Sequence, residues 1–261
     1  MKTIVITGGK LAKLLKPKLE EINWINSNFS IIITNKKECN VCSYDSISAM
    51  LLRNKPSAII HTAALTHPME DHDSFPLLSL SNNVLGTTNM AMGATELRSH
   101  LFFISTDYVY PGDQELSLET SLVAPTTNYG KSKLAGEVAV SMVPSHTIFR
   151  AAFTERPFKH EAAVTDSYKS YVYNDTAADY ISKIVAYRLY SEEEFGITIN
   201  IGGPRMSIHE FASIESSTPK KEITREELFR KTGYSMPLDT SMDLRLMLDY
   251  LDRYEKETNL S

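Results

Sequence analysis

Tyr129 and Lys133 stand four residues apart in the segment Asn128-Tyr-Gly-Lys-Ser-Lys-Leu-Ala-Gly-Glu137. On a helix that spacing puts both side chains on one face. An ammonium beside a phenol favours the phenolate and lowers its pKa. A phenol tuned in this way can exchange a proton with a substrate oxygen near neutral pH. An ordinary surface helix can carry the same Y-x-x-x-K pair, so context decides its meaning. Here the context is Ser105-Thr-Asp-Tyr-Val-Tyr110, which follows the apolar run 101–104. A hydroxyl at the carboxyl end of a strand can hydrogen-bond a carbonyl or alcohol, and open α/β sheets bind ligands there. Thr106, Tyr129 and Lys133 together make a hydroxyl–phenol–ammonium set.

A second chemical signal lies near the N-terminus, where Thr7-Gly-Gly-Lys-Leu-Ala12 follows the β-branched run 3–7. A strand, a glycine turn and a helix start can cradle a pyrophosphate on backbone N–H groups. The same two glycines also suit a plain tight turn. The elements around these sites alternate. Strands are expected at 3–7, 31–34, 58–61, 101–104 and 147–150. Helices are expected from Leu11 to Ile22, kinked or delayed by Pro17, and over 46–53 with Asp45 or Ser46 as cap, 82–98 and 128–140. That rhythm predicts an α/β Rossmann-type doubly wound parallel sheet. Beyond Arg150 it loosens into a helix over 175–190, a strand over 198–201 and charged amphipathic helices over 222–231 and 243–257. The expected division is a dinucleotide-binding domain over residues 1–154 and a mostly substrate-binding region over 155–261. Residues 175–201 are expected to return to the first domain.

Composition removes several function classes. The 261 residues carry 27 basic and 32 acidic side chains, a net charge of −5, which argues against a nucleic-acid binder. The longest apolar runs fall well short of the ~18 residues of a membrane helix, and the N-terminal apolar stretch is too short for a signal peptide. The expected location is the cytoplasm. Cys39-Asn-Val-Cys42 lacks the second ligand pair of a zinc site. His67-Pro-Met-Glu-Asp-His-Asp73 fits no defined metal spacing and reads as a polar loop near the substrate. No metal is expected.

The chain resembles the extended short-chain dehydrogenase/reductases and, within them, the dTDP-4-dehydrorhamnose reductases. The resemblance rests on His61-Thr-Ala-Ala-Leu-Thr66, Asn83-Val-Leu-Gly-Thr87, Ile104-Ser-Thr-Asp-Tyr-Val-Tyr110, Tyr129-Gly-Lys-Ser-Lys-Leu-Ala-Gly-Glu137, Ile199-Asn-Ile-Gly-Gly-Pro204 and Pro237-Leu-Asp-Thr-Ser241. It implies that Tyr129 protonates the C4 oxygen of a 4-keto-6-deoxy nucleotide sugar as hydride arrives. Lys133 would hold the nicotinamide ribose, and Thr106, with Asp107 and Tyr108, would meet the substrate. Gly8, Gly9, Lys10, Leu11, Asn35, Lys36, Ala63 and Ala64 would line the cofactor site, and Asn83 would be structural.

Two departures from the family pattern stand out. The glycine turn is about two residues short and lacks the middle glycine, so Lys10 and Lys13 replace lost contacts or the cofactor site has decayed. After the second strand, Asn35-Lys36-Lys37 offers lysines where an acidic residue would hold a ribose hydroxyl, which favours NADP(H) over NAD(H). The expected partner is a nucleotide-sugar substrate; a homodimer and coupling to a sugar 3,5-epimerase stay open. The alternatives are another sugar-nucleotide epimerase or reductase of the superfamily, or a non-catalytic relative that binds a nucleotide or a protein.

Overall fold

The computed structural model describes residues 1–66, 68–193, 195–214 and 220–257. Strand β1 (Lys2–Thr7) buries Ile4 and Ile6 toward one face and Val5 toward the other. A central parallel strand is covered on both faces and needs apolar residues at every position. Gly8 and Gly9 end β1, and α1 (Lys10–Glu20) starts at once. The helix runs through Pro17 without delay. Lys13 and Pro17 are both exposed, so water can serve the Lys13 carbonyl that proline cannot. A short α2 (Asn23–Asn28), invisible as a separate helix in the sequence pattern, leads into β2 (Phe29–Thr34).

Helix α3 (Tyr44–Asn54) begins earlier than expected because Ser43, not Asp45 or Ser46, is its cap; the Ser43 hydroxyl accepts from the Ser46 N–H. Strand β3 (Ala58–His61) follows, then α4 (Asp71–Ser74) and α5 (Pro76–Ser79). A π-helical turn (Leu80–Leu85) runs directly into α6 (Gly86–Leu97). Next come β4 (His100–Thr106), a 3-10 turn (Asp107–Val109), α7 (Asn128–Ser141) and β5 (His146–Ala151). The later chain forms short strands β6 (Phe153–Thr154), β7 (Ala162–Val164), β8 (Tyr168–Lys169) and β9 (Val172–Tyr173), then α8 (Asn174–Tyr190) and β10 (Ile197–Ile201). It closes with β11 (Met206–Ser207), α9 (Ile208–Ser213), β12 (Lys221–Ile223), α10 (Arg225–Thr232) and α11 (Arg245–Lys256). The charged helix expected from residue 222 starts later. Lys221 to Ile223 pair with β7, and Thr224 caps α10 in a reciprocal box with Glu227.

Six strands form one sheet in the order β2-β1-β3-β4-β5-β10, every pair parallel. This is the doubly wound α/β sheet that the alternating pattern predicts. Helices α1, α2, α8 and α11 pack on one face through Leu15, Leu19, Ile25, Ile181 and Met247. Helices α3, α6 and α7 pack on the other through Ile47, Met50, Met90 and Val140. A smaller core around Phe158, Val164, Ile208, Phe211 and Ile223 holds the short strand pairs together. The strand order reverses between β1 and β3, and the carboxyl ends of those strands make the natural ligand crevice of such a sheet. Among the described residues, no helix is long and apolar enough to cross a membrane.

Candidate active site

Helix α7 presents Tyr129 and Lys133 because its start is sharply defined. Thr127 caps it by accepting the Gly130 N–H at 3.0 Å, which sets Tyr129 in the first turn. Gly130 lets that turn reach the end of β4: a Cβ there would sit 2.3 Å from the Tyr108 carbonyl oxygen. Farther along α7, the buried Glu137 carboxylate meets the Arg150 guanidinium of β5 at 2.8 Å and accepts the Ser105 hydroxyl at 2.5 Å. This pair anchors the helix to the sheet one turn beyond Lys133. Ser105, the other hydroxyl at the end of β4, is thereby committed to this anchor.

Thr106 and Tyr129 share a side-chain hydrogen bond that favours the phenolate. It does not prevail. Burial is the largest influence and, with the Asp107 carboxylate nearby, pushes the Tyr129 phenol above its ordinary value. The lowering that the Y-x-x-x-K spacing predicts is therefore absent in this state, because desolvation of the phenol outweighs its favourable partner. Lys133 is buried with its ammonium 4.1 Å above the Phe103 ring, and burial lowers it to about 7 against the opposing pull of Glu137. His61, buried between the hydroxyls of Thr7 and Thr87, is held down to about 3 by burial first and by Lys133 second. The Tyr129 ring is flanked by His72 at 5.0 Å and Tyr108 at 6.0 Å. His72, expected in a polar loop near the substrate, instead lies buried in the short helix α4 (Asp71–Ser74); His67 of that segment lies outside the described residues.

A cavity of about 350 Å³ opens at the ends of β1, β2 and β3. Gly8, Gly9, Asn35, Lys36, Ala63 and Ala64 line it, as do Lys13, Cys39, Asn40 and Asn82. A Cβ on Gly8 would come within 2.6 Å of the Thr34 carbonyl oxygen, and Gly9 adopts φ +145°, so both positions need glycine. No side chain caps the start of α1, which leaves its first N–H groups available to an anion. Two expected lining residues point elsewhere. Leu11 is buried in the core beneath the sheet, as its helical spacing with Leu15 and Leu19 requires. The Lys10 ammonium pairs with Glu155. The acidic group missing from the end of β2 arrives from three residues on, since Glu38 accepts both the N–H and the side-chain amide of Asn35, at 2.9 and 2.7 Å.

Asn83 ties the site together. Its amide exchanges hydrogen bonds with the Leu65 backbone at 2.7 and 3.0 Å and donates to Ser132 at 2.9 Å. This links the loop after β3 to α7. Sequence reasoning missed three residues that crowd the same place: Lys169, Tyr171 and Tyr234. Lys169 is fully buried and pairs with Asp107, while Tyr171 and Tyr234 stand close enough to influence Asp107 and Lys169 electrostatically. A lone lysine in a loosely patterned stretch gives no sequence signal for burial.

The sequence model described as RmlD substrate binding domain matches residues 1–156. Methionine adenosyltransferase 2 subunit beta from Xenopus laevis is 31% identical over 140 residues, 52% of this chain and 42% of that protein. The chain therefore spans less than half the length of that curated relative. A dTDP-4-dehydrorhamnose reductase from Salmonella typhimurium is 24% identical over 271 residues, 92% of this chain and 90% of that enzyme. Among solved structures, the dTDP-4-dehydrorhamnose reductase of Bacillus anthracis in complex with NADP superposes with a TM-score of 0.78 at 23% identity. That match covers 99% of this chain and 100% of that one.

Proposed function

The chain belongs to the RmlD substrate binding domain family, and from that membership we propose that it is an NAD(P)H-dependent reductase of a nucleotide-linked 4-keto-6-deoxy sugar. The observation that carries this reading is the hydrogen bond of Thr106 with Tyr129 at the carboxyl end of β4, with Lys133 one turn farther along α7 and the cavity at the neighbouring strand ends. The residues present fit a dinucleotide: a glycine turn with no room for a Cβ, an uncapped helix start and a cavity between strand ends. Gly8, Gly9 and the α1 N-terminus would hold the pyrophosphate, and Asn35, Lys36, Ala63 and Ala64 the adenosine half. Residues 1–154 with 175–201 form the cofactor-binding part of this reading, and the remainder of 155–261 the sugar-binding part.

When bound, the nicotinamide supplies hydride to the C4 carbon. The Thr106 hydroxyl binds the C4 oxygen, and Tyr129 delivers the proton that turns the developing alkoxide into an alcohol. A phenol raised by burial carries its proton at neutral pH and gives it up only to a strongly basic acceptor such as the developing alkoxide. Lys133 holds the nicotinamide ribose. Asp107 and Tyr108 continue the wall toward the sugar. Lys36 favours the 2′-phosphate of NADP(H), while the carboxylate of Glu38 on Asn35 works against it, so the preference over NAD(H) is small. The reading includes a cytoplasmic location, a homodimer and a 3,5-epimerase that acts on the sugar first.

The test is NADPH oxidation with a panel of dTDP- and UDP-linked 4-keto-6-deoxyhexoses, each with and without an added epimerase, beside simple ketones. Turnover of the nucleotide sugars is expected; turnover of the simple ketones alone would leave an oxidoreductase of another substrate. A second reading, a cofactor-binding subunit without turnover, is favoured by the shortened glycine turn and by the relative named as a methionine adenosyltransferase subunit. NADPH binding with silence across the panel would select it.

A further inference from the structure

The Asp107 carboxylate sits between the reacting hydroxyl and a buried ammonium. Its Oδ1 accepts the Thr106 hydroxyl at 3.1 Å. Its Oδ2 meets the Lys169 ammonium, and accepts the Thr240 hydroxyl at 2.5 Å. Lys169 is buried, and its ammonium lies 3.9 Å from the Tyr108 ring and 5.3 Å from the Tyr171 ring, with a further bond to Thr240 at 3.0 Å. The groups that face this pair are Thr106, Tyr108, Tyr129, Tyr171, Tyr234 and Thr240. The Lys169–Asp107 pair crosses from β8 to the turn after β4, so the later part of the chain reaches into the catalytic set.

A buried ion pair is a costly way to hold two segments together, and apolar residues of similar size often stabilise as well. Its use here has a chemical reason. An uncompensated carboxylate would grip the Thr106 proton, turn that hydroxyl away from a substrate oxygen and make the neighbouring Tyr129 phenol harder to ionise. With a full positive charge and a second hydroxyl on its far oxygen, Asp107 is a weaker acceptor toward Thr106. Building on the reductase reading above, we propose that Lys169, assisted by Thr240, is a positioning residue that frees the Thr106 hydroxyl for the substrate oxygen by neutralising Asp107. Both residues lie outside the stretch matched by the family model.

The experiment compares wild type, Lys169→Met, Lys169→Arg and Thr240→Val, with NADPH and a dTDP-linked 4-keto-6-deoxyhexose plus an added 3,5-epimerase. Methionine keeps the length and loses the charge; arginine keeps the charge. For Lys169→Met, kcat is expected to fall by about 10–100-fold, less than the about 10²–10³ of losing a preorganised donor outright, because the Thr106 hydroxyl is weakened rather than removed, with KM for NADPH unchanged. The basic limb of kcat should move to higher pH, because Asp107 without its ammonium disfavours ionisation of Tyr129 more strongly. Lys169→Arg should recover a large part of kcat. Thr240→Val should lower kcat by about threefold, in keeping with one modest hydrogen bond. A merely structural lysine would cost stability in Lys169→Met, read by urea unfolding, while kcat of the folded enzyme and the pH limb stayed in place; that pattern overturns the proposal. If Lys169→Met does not fold, wild-type kcat in Thr240→Val overturns it by itself. Absence of wild-type turnover is a different result: it removes the reductase reading, and this inference with it.

Discussion

The two ends of the site are built on opposite principles. At β1, β2 and β3 the wall is backbone and small residues, with room left over: Gly8, Gly9, Ala63 and Ala64 surround a cavity, and the Lys10 and Glu155 charges meet near solvent. At β4 and α7 the wall is side chains, and the polar groups are paired with one another: Thr106 with Asp107, Asp107 with Lys169, Glu137 with Arg150. A cavity of the first kind tolerates an altered loop, because affinity is spread over many weak contacts. A network of the second kind does not, because each buried partner left alone is costly. A shortened glycine turn is therefore compatible with intact pairing at β4 and α7.

The largest expected effect strikes the dense end. Tyr129→Phe removes the proton donor and keeps the ring, so turnover should fall by about 10²–10⁴ while NADPH affinity, measured by fluorescence titration, stays close to wild type. Loss of affinity instead would mean that the two ends are not separable. The open end breaks by filling it. Gly8→Val places a side chain against the Thr34 carbonyl, and NADPH affinity should drop by at least about tenfold, about 1.4 kcal/mol, with the helical circular dichroism signal retained.

Lys133 sharpens the contrast through pH. Its folded value of about 7 lies below the ordinary 10.5, so between these limits the unfolded chain binds more protons than the folded one. The stability of the cofactor-free chain should therefore rise with pH from about 7 to about 10.5 through this group. In Lys133→Met, urea unfolding at a series of pH values should lose part of that rise, and the variant should be more stable than wild type below pH 7. The smallest effects belong to the charged rim. Glu38→Gln should tilt preference toward NADPH and Lys36→Ala toward NADH, each by about 2–5-fold at low salt and less at high salt, as expected of exposed charges. Equal KM ratios across the three proteins would place the 2′ position away from β2.

Much of this was legible because local pattern and burial agree. The β-branched runs become buried parallel strands, since nothing else lets such segments satisfy their backbone bonds inside a core. Tyr129 and Lys133 share a face because helical geometry allows no other outcome for a four-residue spacing. Three local expectations failed for local reasons: Pro17 sits where its lost hydrogen bond faces water, Ser43 caps α3 ahead of Asp45 and Ser46, and β12 takes the first residues of a charged helix because β7 offers them a ladder.

What the residues alone determined is the sheet class and its main strands and helices, with Thr106, Tyr129 and Lys133 as the candidate hydroxyl, phenol and ammonium. What they could not determine is the environment of those groups. Whether a phenol beside a lysine is easier or harder to ionise depends on how much water surrounds it, and burial in the folded site, with Asp107 nearby, settles that balance toward a raised value. Leu11 and Lys10 follow the glycine turn in sequence, yet helix phase sends one into the core and the charge of Glu155 draws the other across to β6's far side of the chain. Lys169 and Thr240 are 62 and 133 residues from Asp107 in sequence. Electrostatics inside a protein acts through space at low dielectric, so contacts over such separations exist only once the chain has folded.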